Sequence, residues 1–228
     1  MLELLKKLLS GLFNKQENKV SNPVIEQPKV EEIKEEQPIV SKETKMPENN
    51  SVVMKCFEYV MKVEGGEKYS LDKNDPGNWT GGKVGVGELK GTKYGVASSA
   101  YPTLDIKNLT KEQACEIFKR DYWDKCKCDE LPNGVNLLVV DCAYNSGVSR
   151  SIKILQKALN TDADGVIGPG TLYKVKQATG SYEKLQQLSW DLRDNRIEFL
   201  KALSTWQTYG KGWRNRVDMI FDWATLMR

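Results

Sequence analysis

Histidine is absent from the 228 residues of the chain, and this absence excludes several kinds of enzyme. A Ser–His or Cys–His nucleophile cannot form without an imidazole base. The usual zinc peptidase and zinc amidase sites need histidine ligands, so they are excluded as well. We therefore expect carboxylates to carry the chemistry, with no metal and no organic cofactor.

Cysteine is scarce, with five residues at irregular spacing. An odd, irregular set does not make a disulfide framework. Cys56, Cys115 and Cys142 fall on the apolar faces of predicted helices, which is typical of buried free thiols. Cys126 and Cys128 lack the second ligand pair that a zinc site needs. The cysteines therefore predict neither a disulfide scaffold nor a metal site.

A strong charge of one sign and a long apolar run are also missing. The formal net charge is +3, whereas a dedicated nucleic-acid-binding protein usually presents a concentrated basic face. No apolar run approaches the roughly 20 residues that a membrane-spanning helix needs. We expect no nucleic-acid partner, and the weak positive charge is compatible with an anionic polymer such as the bacterial cell wall.

The N-terminal part contains two unusual segments. In residues 1–13, apolar and polar side chains fill opposite halves of a helical wheel, which predicts an amphipathic helix. Charges lie inside its apolar stretch and no small-residue cleavage site follows, so it is not a secretory signal. It either contacts a membrane surface, or a virion or secretion protein, or packs on its own domain. Residues 14–50, which alternate Lys and Glu and lack aromatic residues, predict a flexible linker.

From residue 51 the pattern is globular and mainly α-helical, with Asn50 or Ser51 as the first N-cap. Residues 67–100 are glycine-rich and irregular, with space for a short hairpin. A capping-box pattern at Thr110 opens a second helix. A third helix is predicted after the turn at 132–134 and ends at 145–147. Further helices are predicted near 151–159, 170–178, 182–206 and 213–227.

Glu64 is the strongest catalytic candidate, because it closes the first of these helices and precedes Gly65 and Gly66. The macrodipole and the unpaired carbonyls at that helix end disfavour a negative charge. A partly desolvated carboxyl there is expected to hold its proton, as a general acid must. The glycines let the backbone turn sharply and leave space for a substrate. The alternative is a solvated glutamate in front of a glycine cap.

Glycoside hydrolysis generally uses a second group that positions water or stabilises positive charge. The loop after the first helix offers Asp72, Asp75 and Glu88, and we predict Asp75, although Asp-Pro-Gly-Asn is also a good turn. Thr80 and Thr92 are hydroxyls that could orient a water. The predicted sugar-binding residues are four aromatic side chains and one amide: Trp79, Tyr94, Tyr101, Trp123 and Asn145.

Several motifs occur in an order that resembles glycoside hydrolase family 108. They are EGG at 64–66, NDPGNWTGG at 74–82, GTKYGV at 91–96, DYWD at 121–124 and DCAYNSG at 141–147. Members of this family are lysozyme-like N-acetylmuramidases, frequent in phages and prophages. The glutamate of their Glu-Gly-Gly motif is catalytic and matches Glu64. Residues 79–89 look like an insertion, which leaves open whether Thr80 or Thr92 matches the family's threonine.

The C-terminal part is similar to predicted peptidoglycan-binding modules, through LQKAL at 155–159 and DGVIGPGT at 164–171. The segment YGKGWRNRV at 209–217 matches the tail of such enzymes. Asp162 and Asp164 are interpreted as part of a turn, because the loop lacks the glycine and closing glutamate of an EF-hand. The resemblance implies a lysozyme-like helical catalytic domain at 51–148, with a small irregular or β loop region, and a helical peptidoglycan-binding region at 149–228.

The expected function is that of a bacteriolytic, endolysin-type muramidase, with Glu64 as the general acid. It would cleave the glycan bond between N-acetylmuramic acid and N-acetylglucosamine in peptidoglycan. Two alternatives stay open: a lytic transglycosylase, and a non-catalytic wall-binding or structural protein of a virion or secretion machine. Without a signal peptide, the chain is expected to be made in the cytoplasm and to act on the wall, in the periplasm or outside the cell.

Overall fold

The computed structural model describes residues 48–66 and 68–227. The predicted amphipathic helix at 1–13 lies outside the described residues, as does the predicted linker apart from its last three positions. Within the described ranges, no helix is long and apolar enough to cross a membrane.

The fold is mainly α, as predicted, with seven α-helices in the part that the structure describes. They are α1 (Glu48–Glu64), α2 (Lys111–Phe118), α3 (Val135–Ser146), α4 (Val148–Ala158), α5 (Pro169–Ala178), α6 (Tyr182–Lys201) and α7 (Trp206–Thr225). Two short strands, β1 (Thr92–Lys93) and β2 (Val96–Ala97), form the predicted small hairpin, in which Thr92 lies opposite Ala97. The short helical turns are Pro76–Asn78 and Cys128–Glu130, both 3₁₀, and the π-helical Lys119–Trp123.

Helix α3 is the centre of the fold. It is buried without interruption from Val135 to Ala143, which is typical of a helix surrounded by other elements. Helices α1, α4, α6 and α7 all pack against it. The single acidic residue in this buried stretch is Asp141. Its charge has to be balanced inside the protein, because an unpaired buried carboxylate is strongly unfavourable.

One hydrophobic cluster connects the N-terminal and C-terminal helices. It extends from Val53 of α1 to Ala224 of α7. The ring of Tyr59 in α1 also stacks on that of Trp223 in α7, with 4.8 Å between centroids. The regions on the two sides of residue 148 therefore share a core, and their division into a catalytic and a wall-binding part stays a prediction.

Several local predictions are confirmed. Thr110 forms the capping box with Gln113: its hydroxyl accepts from the Gln113 amide at 3.2 Å, and its amide donates to the Gln113 side chain at 3.0 Å. The turn at Asp164 is present, since its carboxylate accepts from the Val166 amide at 2.8 Å. All five cysteines are free and buried.

Two predicted helix boundaries are wrong. Helix α1 begins at Glu48, so Asn50 and Ser51 lie inside it and neither is the N-cap. The break between the last two helices lies at 202–205, whereas the predicted helices left a break at 207–212. Gly210 instead lies in the helix interior, buried against the indole of Trp206.

This packing predicts that Gly210→Ala lowers the melting temperature. Alanine normally stabilises a helix interior by about 1 kcal/mol relative to glycine. Here its Cβ would lie 2.5 Å from Cδ2 of Trp206, so the indole has to move. The matched control is Gly170→Ala in α5, where a Cβ would meet no atom within 4 Å. Thermal unfolding by circular dichroism should show a lower melting temperature for Gly210→Ala but not for Gly170→Ala. An unchanged or higher melting temperature of Gly210→Ala would contradict the packing.

Candidate active site

The candidate site is built around the C-terminal end of α1. Gly65 and Gly66 both have positive φ, at 90° and 77°. The Gly66 amide donates to the Met61 carbonyl at 2.7 Å, which is the Schellman closure of a helix. A Cβ on Gly66 would meet no atom within 4 Å. The glycines are therefore needed for backbone conformation, and the surface next to Glu64 is open.

The Glu64 carboxylate does not stand alone, because it forms an ion pair with Nη1 of Arg216 in α7. Nη2 of Arg216 donates to Oδ1 of Asp141 at 2.6 Å, and its Nε donates to Oδ2 at 3.4 Å. The same Oδ2 accepts from Nη1 of Arg196 in α6 at 2.6 Å. We call these four residues the buried ion chain: Glu64, Arg216, Asp141 and Arg196. Each comes from a different helix, and their charges alternate in sign.

The two outer members of the buried ion chain are partly exposed, and the two inner members are buried. The side chain of Glu64 is 24% exposed and that of Arg216 is 13% exposed, whereas Asp141 is fully buried and Arg196 is 4% exposed. Glu64 is therefore the member that a ligand reaches most directly. The other three groups form its support inside the protein.

Electrostatics keeps the inner members of the chain ionised. Burial disfavours the charge of Asp141, but the guanidinium groups of Arg216 and Arg196 outweigh it and hold its pKa below the usual range. Burial also disfavours the charge of Arg216, and the carboxylates of Asp141 and Glu64 outweigh that cost and raise its pKa.

Two tyrosines are electrostatic neighbours of Glu64. The rings of Tyr122 and Tyr144 are 5.0 Å apart. Burial raises the pKa of both hydroxyls, and the negative charge of Glu64 contributes to both shifts. A Cβ on Gly95 would overlap the Tyr144 hydroxyl, so the turn of the β hairpin lies directly against this ring. The hairpin and Glu64 are thus neighbours of the same tyrosine.

The predicted partners of Glu64 have structural hydrogen bonds of their own. Asp75 caps the 3₁₀ turn by accepting from the Gly77 amide at 2.8 Å. Thr92 is buried and donates to Oδ1 of Asn78 at 2.7 Å. The Thr80 hydroxyl accepts from the Glu88 amide at 2.9 Å, which closes the 79–89 loop. These bonds hold the loop together, and the catalytic roles of the three residues stay predictions.

The prediction that Trp123 contacts a sugar is wrong. Its side chain is 1% exposed, and its indole N–H donates to Asp129 at 2.9 Å. A ring with no accessible face cannot stack on a saccharide. The π-helical turn in which it lies directs this tryptophan into the core.

The other predicted sugar-binding residues are partly exposed. The Tyr101 hydroxyl donates to Asp121, and Arg120 lies over the Tyr101 ring. The Trp79 indole donates to the Lys73 carbonyl at 2.9 Å. The two remaining residues are Tyr94, whose backbone is left-handed with φ 50°, and Asn145, which accepts weakly from Arg196 at 3.5 Å.

Comparison with known proteins decides the family. The family model of glycosyl hydrolase 108 matches residues 57–147. The structure is also similar to that of Brucella abortus SagA, with 33% sequence identity and a TM-score of 0.60. That match covers 78% of this chain and 95% of the SagA chain. No curated protein matches. The chain belongs to glycosyl hydrolase family 108.

Family membership makes the chain a glycoside hydrolase and implies peptidoglycan as its substrate. The matched segment includes Glu64, the β hairpin and Asp141. It ends before α4, so Arg196 and Arg216 lie outside it. Neither arginine was among the site residues predicted from the sequence, and Asp141 was not among them either. An acidic residue inside the apolar run 135–143 was the one available signal, since it requires a buried partner.

The buried ion chain predicts that Asp141→Asn strongly destabilises this family 108 protein. The substitution leaves two buried guanidinium groups without their shared carboxylate, which should cost about 3–5 kcal/mol of unfolding free energy. The matched control is Asp218→Asn, which removes a 39% exposed partner of Arg193 and should cost at most about 1 kcal/mol. Urea unfolding of the three proteins at neutral pH measures the difference.

The difference in unfolding free energy between wild type and Asp141→Asn depends on pH with a definite sign. The pKa of Asp141 is lower in the folded protein than in the unfolded chain, so its contribution is complete above the unfolded value of about 4. It is lost as the pH falls below that value. The gap between wild type and Asp141→Asn should therefore shrink in acid. A gap that is small at pH 7, or that widens below pH 4, would contradict this assignment.

Proposed function

We propose that the chain is an N-acetylmuramidase and that Glu64 is its general acid. The observation that supports this role is the position of the carboxyl at an open, glycine-flanked helix end, partly exposed and supported from inside by Arg216. The other carboxylate of the buried ion chain, Asp141, is fully buried and out of reach of a polymer.

In the proposed reaction, Glu64 gives its proton to the glycosidic oxygen between N-acetylmuramic acid and N-acetylglucosamine. The bond from that oxygen to the anomeric carbon breaks, and positive charge develops on the sugar ring. Water then forms the new bond to the anomeric carbon and gives its proton to a carboxylate, either Asp75 or the Glu64 carboxylate left by the first step. We propose Asp75 as the group that positions this water or stabilises the charge, because the loop that it caps follows α1.

A lytic transglycosylase is the second candidate, and one observation favours it. Asp75, Thr80 and Thr92 are all engaged in hydrogen bonds that hold the loop, and a transglycosylase needs a single catalytic glutamate. Mass spectrometry of the soluble muropeptides distinguishes the two reactions. Hydrolysis gives products that are one water heavier than the anhydro-sugars of a transglycosylase.

The C-terminal region is proposed to contact the cell wall. Three exposed aromatic side chains on α5 and α6 support this proposal: Tyr173, Tyr182 and Trp190. The endolysin type, the antimicrobial action and a phage source rest on the family resemblance alone. Likewise, a membrane, virion or secretion partner of residues 1–13 and the route to the wall rest on the sequence pattern.

Replacement of Glu64 by glutamine tests the proposed acid. Gln keeps the volume and hydrogen bonding of the side chain but has no transferable proton. Because general acid catalysis contributes about 100- to 10,000-fold, activity should fall by at least the lower figure. The matched control is Glu58→Gln, on the same helix, which removes a 43% exposed partner of Lys111 and should leave activity unchanged. Turbidity loss of permeabilised cells measures both variants.

The comparison requires that both variants are folded, which circular dichroism checks. Binding to insoluble peptidoglycan should persist in Glu64→Gln, since the rest of the surface is intact. A folded Glu64→Gln variant that clears cells at the wild-type rate would remove Glu64 from the mechanism.

A further inference from the structure

We propose that Arg216 is the positioning residue for Glu64. In this arrangement the C-terminal helix α7 completes the active site. The inference rests on the proposed catalytic role of Glu64. It goes beyond that role, because it assigns a function to an arginine outside the segment that the family model matches.

The guanidinium of Arg216 is fixed by the core and not by Glu64. Two of its nitrogens, Nε and Nη2, hold the two oxygens of Asp141 at 3.4 and 2.6 Å. Asp141 is held in turn by Arg196 and by its place in the buried helix α3. These two hydrogen bonds to Asp141 fix the plane of the guanidinium. The remaining nitrogen, Nη1, therefore points at the Glu64 carboxylate from a preset position.

Preset positioning matters because Glu64 is at the end of its helix. Its backbone is followed by two glycines that add no packing of their own. A long side chain at such a helix end has several rotamers, and a displacement of about 1 Å can cost a reaction 100-fold. The contact with Arg216 selects one of these rotamers before substrate arrives.

Few titratable side chains face Glu64 from the described elements. Arg216 faces it from α7, Tyr144 from α3 and Tyr122 from the π-helical turn. Burial raises the pKa of both tyrosines, so they stay neutral near pH 7. Farther inside the buried ion chain, the charges of Asp141 and Arg196 offset each other. Among the described residues, Arg216 is thus the charged partner that holds the Glu64 carboxylate.

Removal of Arg216 should therefore lower the rate of the chemical step, because Glu64 would lose the contact that sets its position.

The test compares Arg216→Gln and Arg216→Lys with the control Arg214→Gln. Arg214 is on the same helix, and its side chain is 49% exposed and 3.8 Å from Asp218. The measurement is kcat and KM on soluble peptidoglycan fragments at one pH, with folding checked by circular dichroism. For Arg216→Gln, kcat should fall about 10- to 100-fold with little change in KM, whereas Arg214→Gln should match wild type.

Arg216→Lys keeps a positive charge for Asp141, so it tests the proposal even if Arg216→Gln does not fold. A lysine ammonium is a point charge and cannot hold two carboxylates in the manner of a guanidinium fork. Its kcat should therefore be reduced to a value between those of wild type and Arg216→Gln, with little change in KM.

The outcomes separate this inference from the proposed function. An inactive Glu64→Gln together with a folded Arg216→Gln that keeps the wild-type kcat would overturn the role of Arg216 alone. A wild-type kcat in Arg216→Lys would do the same. A raised KM with unchanged kcat would also overturn it, since Arg216 would then bind substrate directly. An active Glu64→Gln would overturn the proposed function itself.

Discussion

The carboxylate of Asp141 is the constraint on which the rest of the structure depends. It lies inside the central apolar helix, fully buried, where an isolated charge would be strongly unfavourable. Two arginines from two later helices neutralise it, and one of them extends to Glu64 at the open end of α1. The same interaction therefore fixes the packing of α6 and α7 on α3 and supports the candidate catalytic group.

Much of the fold could be predicted because its signals are local. The capping box at Thr110, the glycine end of the helix that closes at Glu64 and the apolar run 135–143 each depend on a few neighbouring residues. The predicted boundary between α6 and α7 was wrong for a physical reason. Gly210 resembles a helix breaker in sequence, but in the structure it makes room for the Trp206 indole.

The candidate site could be predicted in part, and the missing part is long-range. Glu64 is recognisable from its own helix end, whereas its partner Arg216 lies 152 positions later. The contacts of Asp141 with Arg196 and Arg216 span 55 and 75 positions. Sequence patterns report periodicity and caps over a few turns, so they do not show which arginine reaches which carboxylate. Trp123 shows the opposite error, since an aromatic residue in a family motif is as useful to a core as to a sugar site.

The central claim, that Arg216 acts through Glu64, is tested most directly by a double-mutant cycle on kcat/KM. The four proteins are wild type, Glu64→Gln, Arg216→Gln and the double variant, and long incubations with mass-spectrometric detection measure the slow ones. We predict that Arg216→Gln changes the residual kcat/KM of Glu64→Gln by less than about 2-fold. The reason is that substitutions of residues that act as a unit do not have additive effects. If Arg216→Gln instead lowers the rate by the same factor in both backgrounds, the two residues act independently and the account is contradicted.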